Sequence, residues 1–112
     1  MKVLKDVGKV LQIINRKLNE LRKEFDEADG EEASEISGQE VAIINIAGHI
    51  RRALEDHGCF GVKDMACVYE YVNGAKEEAS KYYHNPLVTW FAKGIAKGAA
   101  WACVELEARM EE

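Results

Sequence analysis

At 112 residues the chain is one domain, long enough for a real core and too short for two independent ones. With 47% hydrophobic and 31% charged residues and a single proline it has an ordinary globular composition suited to long helices, and a formal charge of −5 argues against nonspecific nucleic-acid binding, which needs a basic footprint. Three cysteines, an odd number, and the lack of a basic start followed by an apolar run and a small-residue cleavage site favour a reducing cytoplasm; Lys93 and Lys97 interrupt the most apolar stretch, so no membrane span is expected.

The first element is the clearest. Leu4, Val7, Leu11, Ile14, Leu18, Leu21 and Phe25 alternate three and four apart, which places all seven on one stripe of a helix. The spacing predicts a helix over residues 2–28, about 40 Å long. Such a stripe needs a cover from other helices or from a second copy of the chain, so a homodimer is among the possible assemblies. Charge is uneven along this region. Residues 1–25 carry seven basic and three acidic side chains, whereas Asp26, Glu27, Asp29, Glu31, Glu32, Glu35 and Glu40 follow with no basic residue among them. Gly30 suits a helix stop, so residues 29–37 are expected to form an acidic connection that is either a solvated linker or a docking patch for a basic partner.

Ser37, Gly38, Gln39 and Glu40 spell a capping box, which predicts a second helix over 38–57. Ile43, Ala47, Ile50 and Leu54 recur on one face, and Val41, Ile44 and Ile46 widen it into a mostly buried surface. Gly58 ends this helix, and Cys59, Phe60 and Gly61 turn the chain. A third helix over 62–83 repeats the seam with Met65, Val68, Val72, Ala75, Ala79 and Tyr82. Gly74 interrupts it at a cost of about 1 kcal/mol against alanine, which points to a kink or a close helix contact. Asn85 and Pro86 form an N-cap and first helical position for a fourth helix over 86–109. Four amphipathic helices with short links predict an all-α, single-domain, up-and-down four-helix bundle with a long N-terminal helix.

At about 100° per residue, Leu87, Phe91, Ile95, Gly98, Ala99, Ala102 and Leu106 form the core arc of the last helix. Trp90, Lys93, Lys97 and Trp101 fall on another arc, which fills space in the bundle, forms a protein interface, or stacks and neutralises a nucleotide-like anion with help from Tyr82, Tyr83 and His84. Gly94, Gly98 and Ala102 admit another backbone closely, as expected of a tight crossing within the bundle or of self-association.

Metal and catalytic motifs are weak. His57, Cys59, Cys67, His84 and Cys103 lack the paired spacing of a zinc site and His49 stands alone, so no metal or other cofactor is expected. Glu32 and Glu35 have E-x-x-E spacing but no second carboxylate pair to complete a magnesium site. No Gly-rich phosphate loop or nucleophile turn is present, and a helix-turn-helix over 41–72 would present Asp64 and Glu70 to phosphate against Lys63 alone. The best-supported expectation is a non-enzymatic interaction protein of adaptor or inhibitor type acting on a protein partner. The alternatives are a small-ligand binder built on the Trp/Lys stripe and an enzyme whose site carries no recognisable motif.

Overall fold

A computed structural model describes residues 1–112. Its elements in chain order are β1 (Val3–Leu4), α1 (Val7–Glu27), α2 (Gly30–His57), α3 (Val62–Ala79), α4 (Pro86–Glu107) and β2 (Met110–Glu111). The two short strands pair antiparallel, Val3 opposite Glu111 and Leu4 opposite Met110. The Leu4 N–H also donates to the Phe60 carbonyl at 2.8 Å, and the Lys5 N–H to the Arg109 carbonyl at 2.9 Å. These bonds gather the start of α1, the α2–α3 turn and the finish of α4 at one end of the molecule. The helices therefore run away, back, away and back, which is the up-and-down order expected, within an envelope of 44 × 28 × 22 Å.

The first helix is shorter than its apolar stripe. Leu4 leaves the helical row to enter β1, where it is buried, and α1 begins at Val7 after Asp6, a non-glycine residue in the left-handed region. Its buried row is Val10, Ile14, Leu18 and Leu21, with Leu11 half-covered and Phe25 41% exposed beyond the reach of its neighbours.

The expected acidic connection over 29–37 is not a loop. Only Ala28 and Asp29 separate α1 from α2, and the capping-box residues Ser37 and Glu40 lie inside α2. Gly30 is the hinge that allows this, with φ of 56°, and it opens the helix instead of closing one. Glu31 and Glu32 then occupy the first turn, where the free N–H groups and helix dipole favour negative charge. Ile36 is buried and stands three and seven residues before the buried Gln39 and Ile43, so the helical period extends upstream of Ser37.

The other boundaries follow the local chemistry. Gly58 closes α2 at φ of 76°, with its N–H donating to the Leu54 carbonyl. Asn85 caps α4, its Oδ1 accepting from the Leu87 N–H at 2.9 Å, and Pro86 takes the first helical position. The third helix stops at Ala79, not at residue 83, which leaves Tyr82, Tyr83 and His84 in the link. Gly74 meets no other helix: a side chain there would find open space.

The core joins Ile14 and Leu21 of α1, Ile43 and Ile50 of α2, Phe60 of the turn, Val68 of α3 and Leu106 of α4, all fully buried. Its tightest seam is between α2 and α4. A Cβ on Gly94 would collide with the Glu35 carbonyl, one on Gly38 with the Phe91 carbonyl, and one on Gly98 would lie 2.6 Å from the Gln39 carbonyl oxygen. The small-residue row of the last helix thus serves a crossing inside the chain. A methyl group at such a contact forces backbone apart, so Gly94→Ala is expected to destabilise the protein by about 2–3 kcal/mol in urea unfolding. Gly48→Ala, inside the same α2 helix with nothing within 4 Å, is expected to raise stability by about 0.5–1 kcal/mol. Equal effects of the two substitutions would show that helix propensity, not close approach, governs both sites.

Candidate functional site

The aromatic and basic stripe of α4 is folded into contacts with the rest of the chain. Trp90 is half-buried and the Lys93 ammonium stands 4.5 Å from its ring centroid. Lys97 reaches across to α2, where its Nζ lies 3.2 Å from Glu35 Oε1. Trp101 is half-buried against the core, with the Lys17 ammonium of α1 5.6 Å from its ring. Trp90 shares a shallow depression with Glu31, Glu32 and Glu35. Trp90 and Lys97 of the stripe and Glu31, Glu32 and Glu35 of the acidic run, which the sequence presents as two separate candidates, therefore meet on one surface. Glu35 is half-buried and engaged by Lys97, while Glu31 and Glu32, like the preceding Asp26, Glu27 and Asp29, are exposed and none has a cationic side chain within 4.0 Å.

The aromatic cluster of the α3–α4 link divides. Tyr82 is 85% exposed and packs edge-on against His84 at 5.4 Å between ring centroids. Tyr83 turns to α3, where its hydroxyl donates to Glu78 Oε2 at 2.8 Å, and Lys81 donates to the other carboxylate oxygen at 2.6 Å. The bond to Glu78 holds the Tyr83 phenol above its ordinary pKa, and the bonds from Lys81 and then Tyr83 hold Glu78 below its own.

Tyr83 instead lines a groove of about 610 Å³ between α3 and α4, together with Tyr71, Gly74, Val88, Phe91 and Ile95. Val88, which lines it, is 43% exposed, and the preceding Leu87 is 45% exposed. The groove arises because the core arc of α4 outlasts its cover. Ala99, Ala102 and Leu106 are buried, but Leu87, Phe91 and Ile95, one to three turns earlier on the same arc, stay partly open. Ile44 of α2, expected in a buried face, is likewise 46% exposed. Tyr71 and Val88 carry no signal in the sequence; Gly74, which reads there as a kink or a close helix contact, opens onto this groove instead.

A second cleft of about 520 Å³ lies between α2 and α3 and includes Asn45, His49, Arg52, Cys67, Val68 and Tyr71. At its edge the α2–α3 turn is held by Asp64, whose carboxylate accepts from the Gly61 N–H at 2.9 Å and meets His57 Nε2 at 3.0 Å. The cysteines and histidines do not converge, and no three metal-ligating side chains come together. Cys103 is buried and donates to Glu107, and burial, then that carboxylate, push its thiol up to about 11.

The chain matches no protein-family model, and comparison with curated proteins and with solved structures returned no match.

Partial burial alone would raise the Asp64 pKa, but the Gly61 N–H and the His57 ring together hold it below its ordinary value. A carboxylate depressed in the folded state contributes stability above its unfolded pKa and loses it as pH falls through the folded one. Asp64→Asn is therefore expected to lower the urea midpoint at neutral pH, with the two proteins converging in strongly acid solution. A gap that stays constant down to acid pH would mean that the carboxylate charge is not what secures this turn.

Proposed function

We propose that the protein is a non-enzymatic interaction module that takes a basic amphipathic helix of another protein into the groove between α3 and α4. The observation that carries this reading is the uncovered half of the α4 core arc. Leu87, Phe91 and Ile95 continue a face that is sealed further along the same helix, so an added apolar surface completes a packing pattern already begun. The groove is lined by aromatic and branched side chains, among them Tyr71, Val88, Phe91 and Ile95, as suits a few apolar anchors.

Charge specifies the occupant. The groove lies at the end of the molecule that carries the α1–α2 and α3–α4 links, and the exposed Asp26, Glu27, Asp29, Glu31 and Glu32 belong to that end. Glu77 stands on the groove wall itself, beside Glu78, whose charge is already paired with Lys81. A partner helix with lysine or arginine flanking its apolar row gains long-range attraction here, and an acidic one is repelled. An adaptor or an inhibitor that occludes a basic helix fits this surface. The α4 lysines favour the same reading over a nucleotide-like ligand, because Lys97 is already neutralised by Glu35 and Lys93 is drawn over Trp90.

Selection from a displayed library of helical peptides tests the proposal. Enriched peptides are expected to carry apolar residues at three- and four-residue spacing with basic flanks, and to bind more weakly as salt is raised. Val88→Glu places a charge in the groove and is expected to weaken such a peptide at least about tenfold, the effect of burying an unpaired charge. Gly74→Leu, which fills the groove from α3, is expected to do the same while leaving the fold intact. Peptides that bind both variants as well as the parent would refute the groove as the docking site, and light scattering of the free protein distinguishes a second copy as its occupant.

A further inference from the structure

The cleft between α2 and α3 is a different kind of place from the groove, because two of its polar groups, the Arg52 guanidinium and the Tyr71 hydroxyl, are donors without acceptors in the chain. The Arg52 guanidinium has no carboxylate within 4.0 Å and makes no hydrogen bond inside the chain. Asn45 donates its amide to the Tyr71 hydroxyl at 3.2 Å, which places that oxygen as an acceptor and leaves the phenolic proton to be given elsewhere. His49 is oriented by the Asp64 carbonyl, which accepts from Nε2 at 3.2 Å, and by an edge-to-face contact with Phe60 at 5.8 Å. That bond fixes which nitrogen carries the proton and turns the ring into a stationary part of the wall. Beneath these groups lie the buried Ile46 and Val68.

We infer that this cleft binds a small organic monocarboxylate, its carboxylate on Arg52 and the Tyr71 hydroxyl and its apolar body on Ile46 and Val68. One planar guanidinium and one neutral hydroxyl donor lining the same cleft match a single carboxylate, which takes two parallel N–H bonds from arginine. A polyanion would need more cations than the cleft provides and would be opposed by the net charge of −5. The apolar floor selects for an alkyl or aryl body over a hydroxy acid or a free inorganic anion, since burying further polar groups there would leave them unpaired. The volume of about 520 Å³ lies within the range of small-molecule sites. Tyr71 lines both the cleft and the groove, whereas Arg52 lines the cleft alone, so Arg52 is the residue whose substitution separates the two sites.

The chain carries its own reporter. Cys67 is exposed and lines the cleft, Cys59 lies outside it in the α2–α3 turn, and Cys103 is buried with a raised thiol pKa. Alkylation by iodoacetamide, followed residue by residue by mass spectrometry, therefore compares a protected site with a reference in one molecule. Octanoate and indole-3-acetate are expected to slow alkylation of Cys67 several-fold and to leave Cys59 unchanged, whereas octanol and inorganic phosphate at equal concentration do neither. Arg52→Gln is expected to weaken octanoate at least about tenfold, the usual cost of a lost charge-assisted pair. Arg52 is exposed, so the urea midpoint of this variant should match the parent and separate lost recognition from lost folding. Tyr71→Phe is expected to weaken octanoate less. Unchanged alkylation of Cys67 under octanoate, equal slowing at Cys59, equal protection by octanol, or undiminished protection in Arg52→Gln would each overturn the assignment.

Discussion

The structure depends on two helices being allowed to touch backbone to backbone. At Gly38, Gly94 and Gly98 the missing side chains let α2 and α4 approach until a built Cβ would strike main-chain atoms of the opposite helix. Main chain cannot swing aside as a side-chain tip can, so this seam sets one separation and one register. The rest of the bundle is arranged around that pair. On one side α1 lays its Val10, Ile14, Leu18 and Leu21 row over it, and α3 brings Met65, Val68 and Val72 from another. A helix pair this close has a narrow shared face, so the large apolar residues of α4 must find their cover from α3 or remain open.

That division explains why one helix carries both the most constrained and the least covered surface of the protein. Along α4, small residues face α2 while Val88, Phe91 and Ile95 face the space beside α3. The covering helix ends at Ala79, and Gly74 and Ala75 give it little bulk over its last turns. The openness is thus a result of chain length and side-chain size together. It is not a looseness of the fold, since every buried side-chain nitrogen and oxygen has a hydrogen-bond partner.

The architecture was legible in the sequence to the extent that it rests on apolar period and on local capping chemistry. Gly58, Asn85 and Pro86 act through their own backbone geometry, so they mark boundaries whatever surrounds them. The close helix crossing was legible in the Gly94, Gly98 and Ala102 row for the same reason. Gly30 and Ser37 misled because their roles are set from outside: a glycine in the left-handed region closes or opens a helix according to where the chain goes next, and a capping-box sequence does nothing inside a helix whose upstream turn is already paid for by the burial of Ile36. The first stripe misled in a smaller way, since β1 draws Leu4 out of helical geometry through a partner more than a hundred residues away. Neither of the clefts was visible, because each is a gap between elements and no residue encodes an absence of neighbours.

The two ends of the bundle differ in how they are held, and the difference bears on where binding belongs. At one end main-chain hydrogen bonds knit β1, β2, the Phe60 turn and the Arg109 carbonyl into a single unit. At the other, two links join helix pairs with no strand between them, and the side-chain bonds of the α3–α4 link, Lys81 and Tyr83 to Glu78, are exposed and local. Surface ion pairs of this kind contribute little, so this end of the molecule owes its geometry to the α2–α4 seam and to the apolar side chains of α1 and α3 packed on it. A groove placed here can adjust α3 by small movements without disturbing the knitted end or the glycine contacts. The carboxylates that stabilise the start of α2 by facing its dipole, Glu31 and Glu32, lie at this same end of the molecule. Charges that serve folding at the helix start thereby also choose the sign of what can approach.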